Sequence, residues 1–169
     1  MRFLGNIEAK TDTKGRVFLP VAFRKVLTGI GETNIVMRKD VFQKCLVLYP
    51  ENVWNSQMDS LREKLNRWDK NEQTLFRQFV SQAEIITLDA SGRFLIPKKY
   101  MQMASIDQAV KFIGMGDTIE IWAAENEEEQ FIDTEEFGKA LGELLGGQHQ
   151  MQTHSHHRSR EYFKSTIHL

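Results

Sequence analysis

Two short stretches carry the residues with the most evident chemistry. An aspartate and an arginine stand four apart across a glycine in TDTKGRVFLP, residues 11–20, and again in TLDASGRFLIP, residues 87–97. Asp12 matches Asp89, Gly15 matches Gly92, Arg16 matches Arg93 and Pro20 matches Pro97, at a constant spacing of 77 residues. Aspartate can accept hydrogen bonds from amides just downstream, and glycine takes a positive φ without steric cost, so each stretch reads as a tight turn. Arginine adds a planar, permanently charged fork that matches phosphate or the O6/N7 edge of guanine. Two readings stand side by side: an ion pair that only holds the turn, or an aspartate that holds the turn while the arginine projects toward DNA.

Elements on either side must position these turns. The apolar residues after each arginine, Val17 to Leu19 and Phe94 to Ile96, read as short strands buried on both sides. Proline stops each strand, lacking an N–H for a ladder, and is expected at the first position of a helix, since its φ is already helical. VAFRKVL and KKYMQMA supply those helices, and Gly29 is expected to close the first. Extended segments follow at Ile35–Arg38 and Leu46–Tyr49, and again at Val110–Ile113 and Thr118–Trp122. The chain is thus built twice.

The paired D-x-x-x-R motifs, each with its apolar run and proline, together with CLVLYP and the matching TIEIWA, resemble the MraZ family of bacterial transcriptional regulators. The resemblance runs from about Phe3 to about Leu145. It implies an α+β, β-rich fold of two pseudo-symmetric, swapped-hairpin AbrB-like β-barrel halves with flanking helices. The expected divisions are residues 1–82, residues 83–147 and a His-rich, mobile tail at 148–169. It further implies a cyclic homo-oligomer that represses at short direct repeats upstream of the cell-division and cell-wall genes, with Arg16 central to DNA binding.

Charge favours the first copy as the DNA surface. Residues 1–28 hold six cations (Arg2, Lys10, Lys14, Arg16, Arg24, Lys25) against Glu8 and Asp12, whereas residues 117–145 hold ten carboxylates against Lys139. In the second copy Ser91 replaces Lys14, Ala90 replaces Thr13, and Met101 and Gln102 replace Arg24 and Lys25. The expected DNA-binding set is therefore Arg16, Lys14, Lys10, Thr13, Gly15 and Arg2. Asp12, Asp89, Gly92, Arg93, Pro20 and Pro97 are expected to be structural or to make secondary contacts.

Between the copies Trp54, Met58, Leu61, Leu65 and Trp68 recur at steps of four and three, a helical stripe. DKNEQ is expected to break it before a second helix carrying Leu75, Phe76, Phe79 and Val80. After the second copy Phe131, Phe137, Leu141, Leu144 and Leu145 form a similar stripe. Either stripe packs on the chain's own sheet or meets a neighbouring subunit.

Catalysis is not expected. The repeated carboxylates come with arginines that keep them ionised, and every histidine lies in the final segment, away from both motifs. Neither a cofactor, a metal nor a small-molecule substrate is expected, because His154, His156 and His157 lack the further ligands of a closed zinc site. The single cysteine, Cys45, suits a reducing compartment and a packing role. With no membrane-length apolar run and no signal-peptide core in MRFLGNIEAK, the expected location is the cytoplasm, at the nucleoid. The rival class is an AbrB-like protein-interaction module, antitoxin-type or structural, without specific DNA readout.

Overall fold

Each copy of the motif folds as four strands and a short helix in the computed structural model, which describes residues 2–147. The first copy comprises β1 (Asn6–Lys10), β2 (Arg16–Phe18), α1 (Val21–Gly29), β3 (Ile35–Lys39) and β4 (Leu46–Pro50). Two helices follow, α2 (Glu51–Lys64) and α3 (Lys70–Ser81). The second copy comprises β5 (Glu84–Ile86), β6 (Arg93–Leu95), α4 (Lys98–Met103), β7 (Ala109–Gly114) and β8 (Ile119–Ala123). After Asn126 a separate compact unit begins, containing α5 (Glu127–Gln130) and α6 (Thr134–Gly146). The His-rich segment from 148 lies outside the described residues.

The protein is α+β. Six strands form one antiparallel sheet in the order β1-β7-β8-β4-β3-β5, and β2 and β6 form a separate two-stranded ribbon. Strand pairing crosses between the copies. β1 pairs with β7, with Lys10 opposite Ala109, while β5 pairs with β3, with Ile86 opposite Ile35. β4 and β8 join the copies in the middle, with Leu46 opposite Ile121. Each copy therefore lends its first strand to the other, and the ribbon joins their second strands.

Burial explains why β3 and β4 read as continuous apolar runs. Ile35, Met37, Leu46 and Leu48 face the main core beside Leu19, Phe23, Phe94 and Phe112. The alternate residues Val36, Val47 and Tyr49 face a second cluster built on Trp54. Trp54 stacks on Phe79 at 5.1 Å and meets Tyr49 edge-on at 5.2 Å. Such aromatic pairs contribute about 0.5–1.5 kcal/mol each beyond the area they bury. Arg38, on the same side of β3, is itself buried and donates to the carbonyls of Phe79, Gln78 and Lys39, so α3 is tied to the sheet.

Several local expectations are corrected. The stripe between the copies is not one helix through Trp68: α2 ends at Lys64, and Trp68 is 95% exposed. The Asn66 side chain accepts from the Trp68 amide, and the Asp69 side chain accepts from the Asn71 and Glu72 amides. DKNEQ therefore starts α3 instead of breaking a helix, because an aspartate at the N-cap satisfies amides that the first turn leaves open. Pro20 and Pro97 are N-caps with extended ψ, one position before the helices they introduce. Gly29 stays helical, and Gly31, with φ +74°, takes the left-handed position that ends α1, while its amide donates to Thr28. Among the described residues no helix is long and apolar enough to cross a membrane.

Candidate nucleic-acid interface

Both turns fold alike because one carboxylate organises each. Asp12 Oδ1 accepts from the amides of Lys14 and Arg16, both at 2.9 Å, and Oδ2 accepts from Arg16 Nε at 2.8 Å. Asp89 repeats the arrangement with Ser91, Arg93 and Arg93 Nε at 2.9, 2.9 and 3.0 Å. The closing residue must turn the backbone left-handed, and Gly15 and Gly92 do so at φ +88° and +86°. The downstream amide, followed by the guanidinium bond, holds each carboxyl below its ordinary pKa of 3.8. An ion pair thus spans the turn in both copies.

It leaves part of each arginine uncommitted. Asp12 engages only Nε of Arg16, so among the described residues both terminal nitrogens stay unbonded, and the side chain is 39% exposed. Arg93 is arranged the same way at 32% exposure. A guanidinium gripped at Nε is aimed without being consumed, which suits it to a second, anionic or guanine-like partner.

The ribbon sets the two turns at its opposite ends and turns their arginines to one face. Arg16 lies opposite Leu95 and Phe18 opposite Arg93, so these four residues share one face, while Val17 and Phe94 face the core. Arg16 and Arg93 are diagonal neighbours, a spacing of about 7–8 Å that is somewhat shorter between Cβ atoms. Phe18 and Leu95 stand between them, each about half exposed, and the Arg93 guanidinium lies 5.8 Å from the Phe18 ring. An arginine pair framed by apolar side chains is absent from either motif taken alone. Outward alternation in R-V-F and R-F-L was the available signal, but it needed the β2–β6 pairing to be seen.

Of the other expected residues, Thr13 and Lys14 are exposed on the first turn and Lys10 is exposed at the end of β1 beside it. Gly15 is buried, and a Cβ there would meet the Ile96 carbonyl oxygen at 2.9 Å. Arg2 is exposed but not brought to the turn: Phe3 bridges Gly116 at the far end of β1. A five-residue strand separates them by about 16 Å. Pro20 and Pro97 are half-buried behind the ribbon as helix caps. Arg24, which belongs to the basic first copy in sequence, extends over the second turn, with Nη1 at 3.4 Å from the Ser91 carbonyl.

A duplicated α+β scaffold that presents two aimed arginines on one exposed ribbon is the class this geometry defines. A model of the family described as "MraZ protein, putative antitoxin-like" matches residues 2–78 and, a second time, residues 79–140. The chain is 61% identical over 146 residues to the transcriptional regulator MraZ of Phocaeicola vulgatus, covering 86% of this chain and 95% of the relative. It is 57% identical over 145 residues to that of Bacteroides fragilis (86% and 92% covered) and 34% over 144 residues to that of Flavobacterium psychrophilum (85% and 91%). The chain belongs to the MraZ family.

Proposed function

We propose that this protein is a sequence-specific, double-stranded DNA-binding transcriptional regulator, acting as a repressor. The observation that carries this reading is the Arg16 fork, held by Asp12 through Nε and open at both terminal nitrogens on an exposed two-stranded ribbon. A two-stranded ribbon fits the major groove, where arginine pairs bidentately with guanine and apolar side chains such as Phe18 meet thymine methyls. Lys14, Lys10 and Thr13 flank the same turn and supply phosphate contacts. Arg93 is a secondary contact, and Arg2, at the other end of β1, reaches only a different stretch of duplex. The names borne by the relatives support a regulator and assign it no reaction.

The finer features follow from the family resemblance. Residues 1–82 and 83–147 act as two AbrB-like repeats whose exchanged strands, with the ribbon, make a barrel-like core. Several chains assemble into a ring that reads short direct repeats in the promoter of the cell-division and cell-wall genes, in the cytoplasm at the nucleoid. Physical need supports the ring, because one module touching few phosphates binds weakly and loses affinity steeply with salt. Presenting several modules together raises avidity by about 10²- to 10⁴-fold where spacing allows. On α6, Phe137, Leu141 and Leu145, each 40–57% exposed, offer apolar surface for such assembly, and Phe131 stands outside that helix.

The test is a titration of full-length protein into a duplex of short G-rich direct repeats at two salt concentrations, beside a scrambled duplex. Repeat-dependent binding that Arg16→Ala abolishes, with Arg93→Ala weaker in effect and assembly intact in both, is the expected result. Equal binding by wild type and Arg16→Ala, or no binding by either, would overturn the reading and leave the protein-interaction module in its place.

A further inference from the structure

Outside the ribbon, the described residues hold one group of three dissimilar metal-ligating side chains. The tip of the β3–β4 hairpin carries Asp40 and Cys45, and β8 of the other copy carries Glu120 beside it. A carboxylate oxygen of Asp40, Cys45 Sγ and a carboxylate oxygen of Glu120 all lie within 4.8 Å of one another. Ligands around a tetrahedral zinc ion stand about 3.3–3.8 Å apart, given bonds of about 2.0–2.3 Å. Closing to that distance requires side-chain rotation of about 1 Å.

Each ligand is oriented but not used up. Asp40 Oδ2 accepts from the amides of Phe42 and Gln43, which leaves Oδ1 open. Glu120 Oε1 accepts from the Trp122 indole N–H at 2.9 Å, which leaves Oε2 open. The Cys45 thiol is 0% exposed and, among the described residues, takes part in no hydrogen bond, although it lies beside two carboxylates. Nor does a cation pair with either carboxylate among the described residues: Lys39 Nζ, close by, donates instead to the backbone carbonyls of Asp40 and Gln43. Packing alone explains a buried cysteine, but not why two carboxylates with free oxygens crowd it.

We infer that Asp40, Cys45 and Glu120 form a binding site for a thiophilic divalent cation of the zinc class, with solvent at the fourth position. Thiolate selects zinc over magnesium or calcium, and carboxylates complete a borderline donor set. On binding, the Zn–S bond replaces the S–H bond and the thiol proton leaves to solvent. The ion would staple the hairpin of the first copy to β8 of the second, at the seam where β4 meets β8.

The test uses full-length protein, Co²⁺ as the probe and a thiol-free buffer. Because Cys45 is the only cysteine, a near-ultraviolet thiolate-to-cobalt band reports this site, and the histidines beyond residue 147 cannot produce it. A saturable band at one equivalent, displaced by Zn²⁺ and absent in Cys45→Ser, is expected. Glu120→Gln keeps an oxygen for the Trp122 indole, so it preserves the fold, and with Asp40→Asn it should weaken cobalt at least about tenfold. Zn²⁺ should also raise the Tm of wild type but not of Glu120→Gln. Absence of the band at saturating Co²⁺, or an unchanged affinity in both carboxylate variants, would overturn the inference.

Discussion

The guanidinium of Arg24, in the helix of the first copy, covers Gly92 in the turn of the second: Nη1 lies 3.4 Å from the Ser91 carbonyl, 67 residues away in sequence. At the matching place on the first turn, the Met101 sulfur lies 3.4 Å from where a Cβ of Gly15 would stand. Each short helix therefore packs on the other copy's turn, as the exchanged strands require. The second turn, which lacks a counterpart of Lys14, regains a cation through Arg24.

That exchange makes the two glycines unequal. Both need left-handed backbone, which costs any other residue about 1–2 kcal/mol. A Cβ at Gly15 also meets the Ile96 carbonyl oxygen at 2.9 Å, a backbone atom that cannot swing away. At Gly92 it meets Arg24 atoms at 2.3–2.8 Å, and that side chain can leave. Gly15→Ala should therefore destabilise more than Gly92→Ala, read as the difference in urea midpoints. Gly92→Ala should in addition become no worse when combined with Arg24→Ala.

Lys14 stands exposed beside Asp12, and its amide, not its ammonium, is what the turn uses. Lys14→Ala should leave thermal stability unchanged while lowering the slope of log affinity against log salt by roughly one unit. Titrations on the repeat duplex at several salt concentrations give that slope, and an unchanged one would remove Lys14 from the interface.

Arg38 gives a stability prediction with no bearing on DNA. Its guanidinium donates to three carbonyls and lies 4.8 Å from the Phe79 ring, so deletion strips α3 of its tie to β3 and leaves part-buried acceptors open. Arg38→Ala should cost about 2–3 kcal/mol in chemical denaturation. Arg38→Lys should recover little of this, since an ammonium on one stem cannot span the same carbonyls.

The turns should also report acid. Asp12 and Asp89 have folded-state values below their ordinary 3.8, first through the Arg16 and Arg93 amides and then through the guanidinium bonds. A depressed carboxyl contributes stability that is complete above pH 3.8 and is lost as pH falls through the lowered folded value. Melting curves taken from about pH 5 to about pH 2 should show a smaller loss in the Asp12→Asn, Asp89→Asn double variant than in wild type.

What the sequence determined by itself was local. The D-x-x-G-R turns and the helices after Pro20 and Pro97 depend on bonds spanning four residues or fewer, so the motif contains their cause, whereas the short strands between them are completed only by pairing with each other. Where side chains competed locally, as at Asn66 and Asp69, hydrogen bonds to nearby amides overrode an apolar period that continued to Trp68. Tertiary structure alone decided the partners. With the same pattern present twice, β1 could satisfy its ladder with either copy, and only the joint burial of both faces of β3 and β4 selects the crossed pairing. From that choice follow the shared face of Arg16 and Arg93, the reach of Arg24 to Gly92 and the meeting of Asp40 and Cys45 with Glu120. None of these has a sequence period, because each contact joins residues whose separation is set by the crossing of strands and not by the repeat of a helix or a turn.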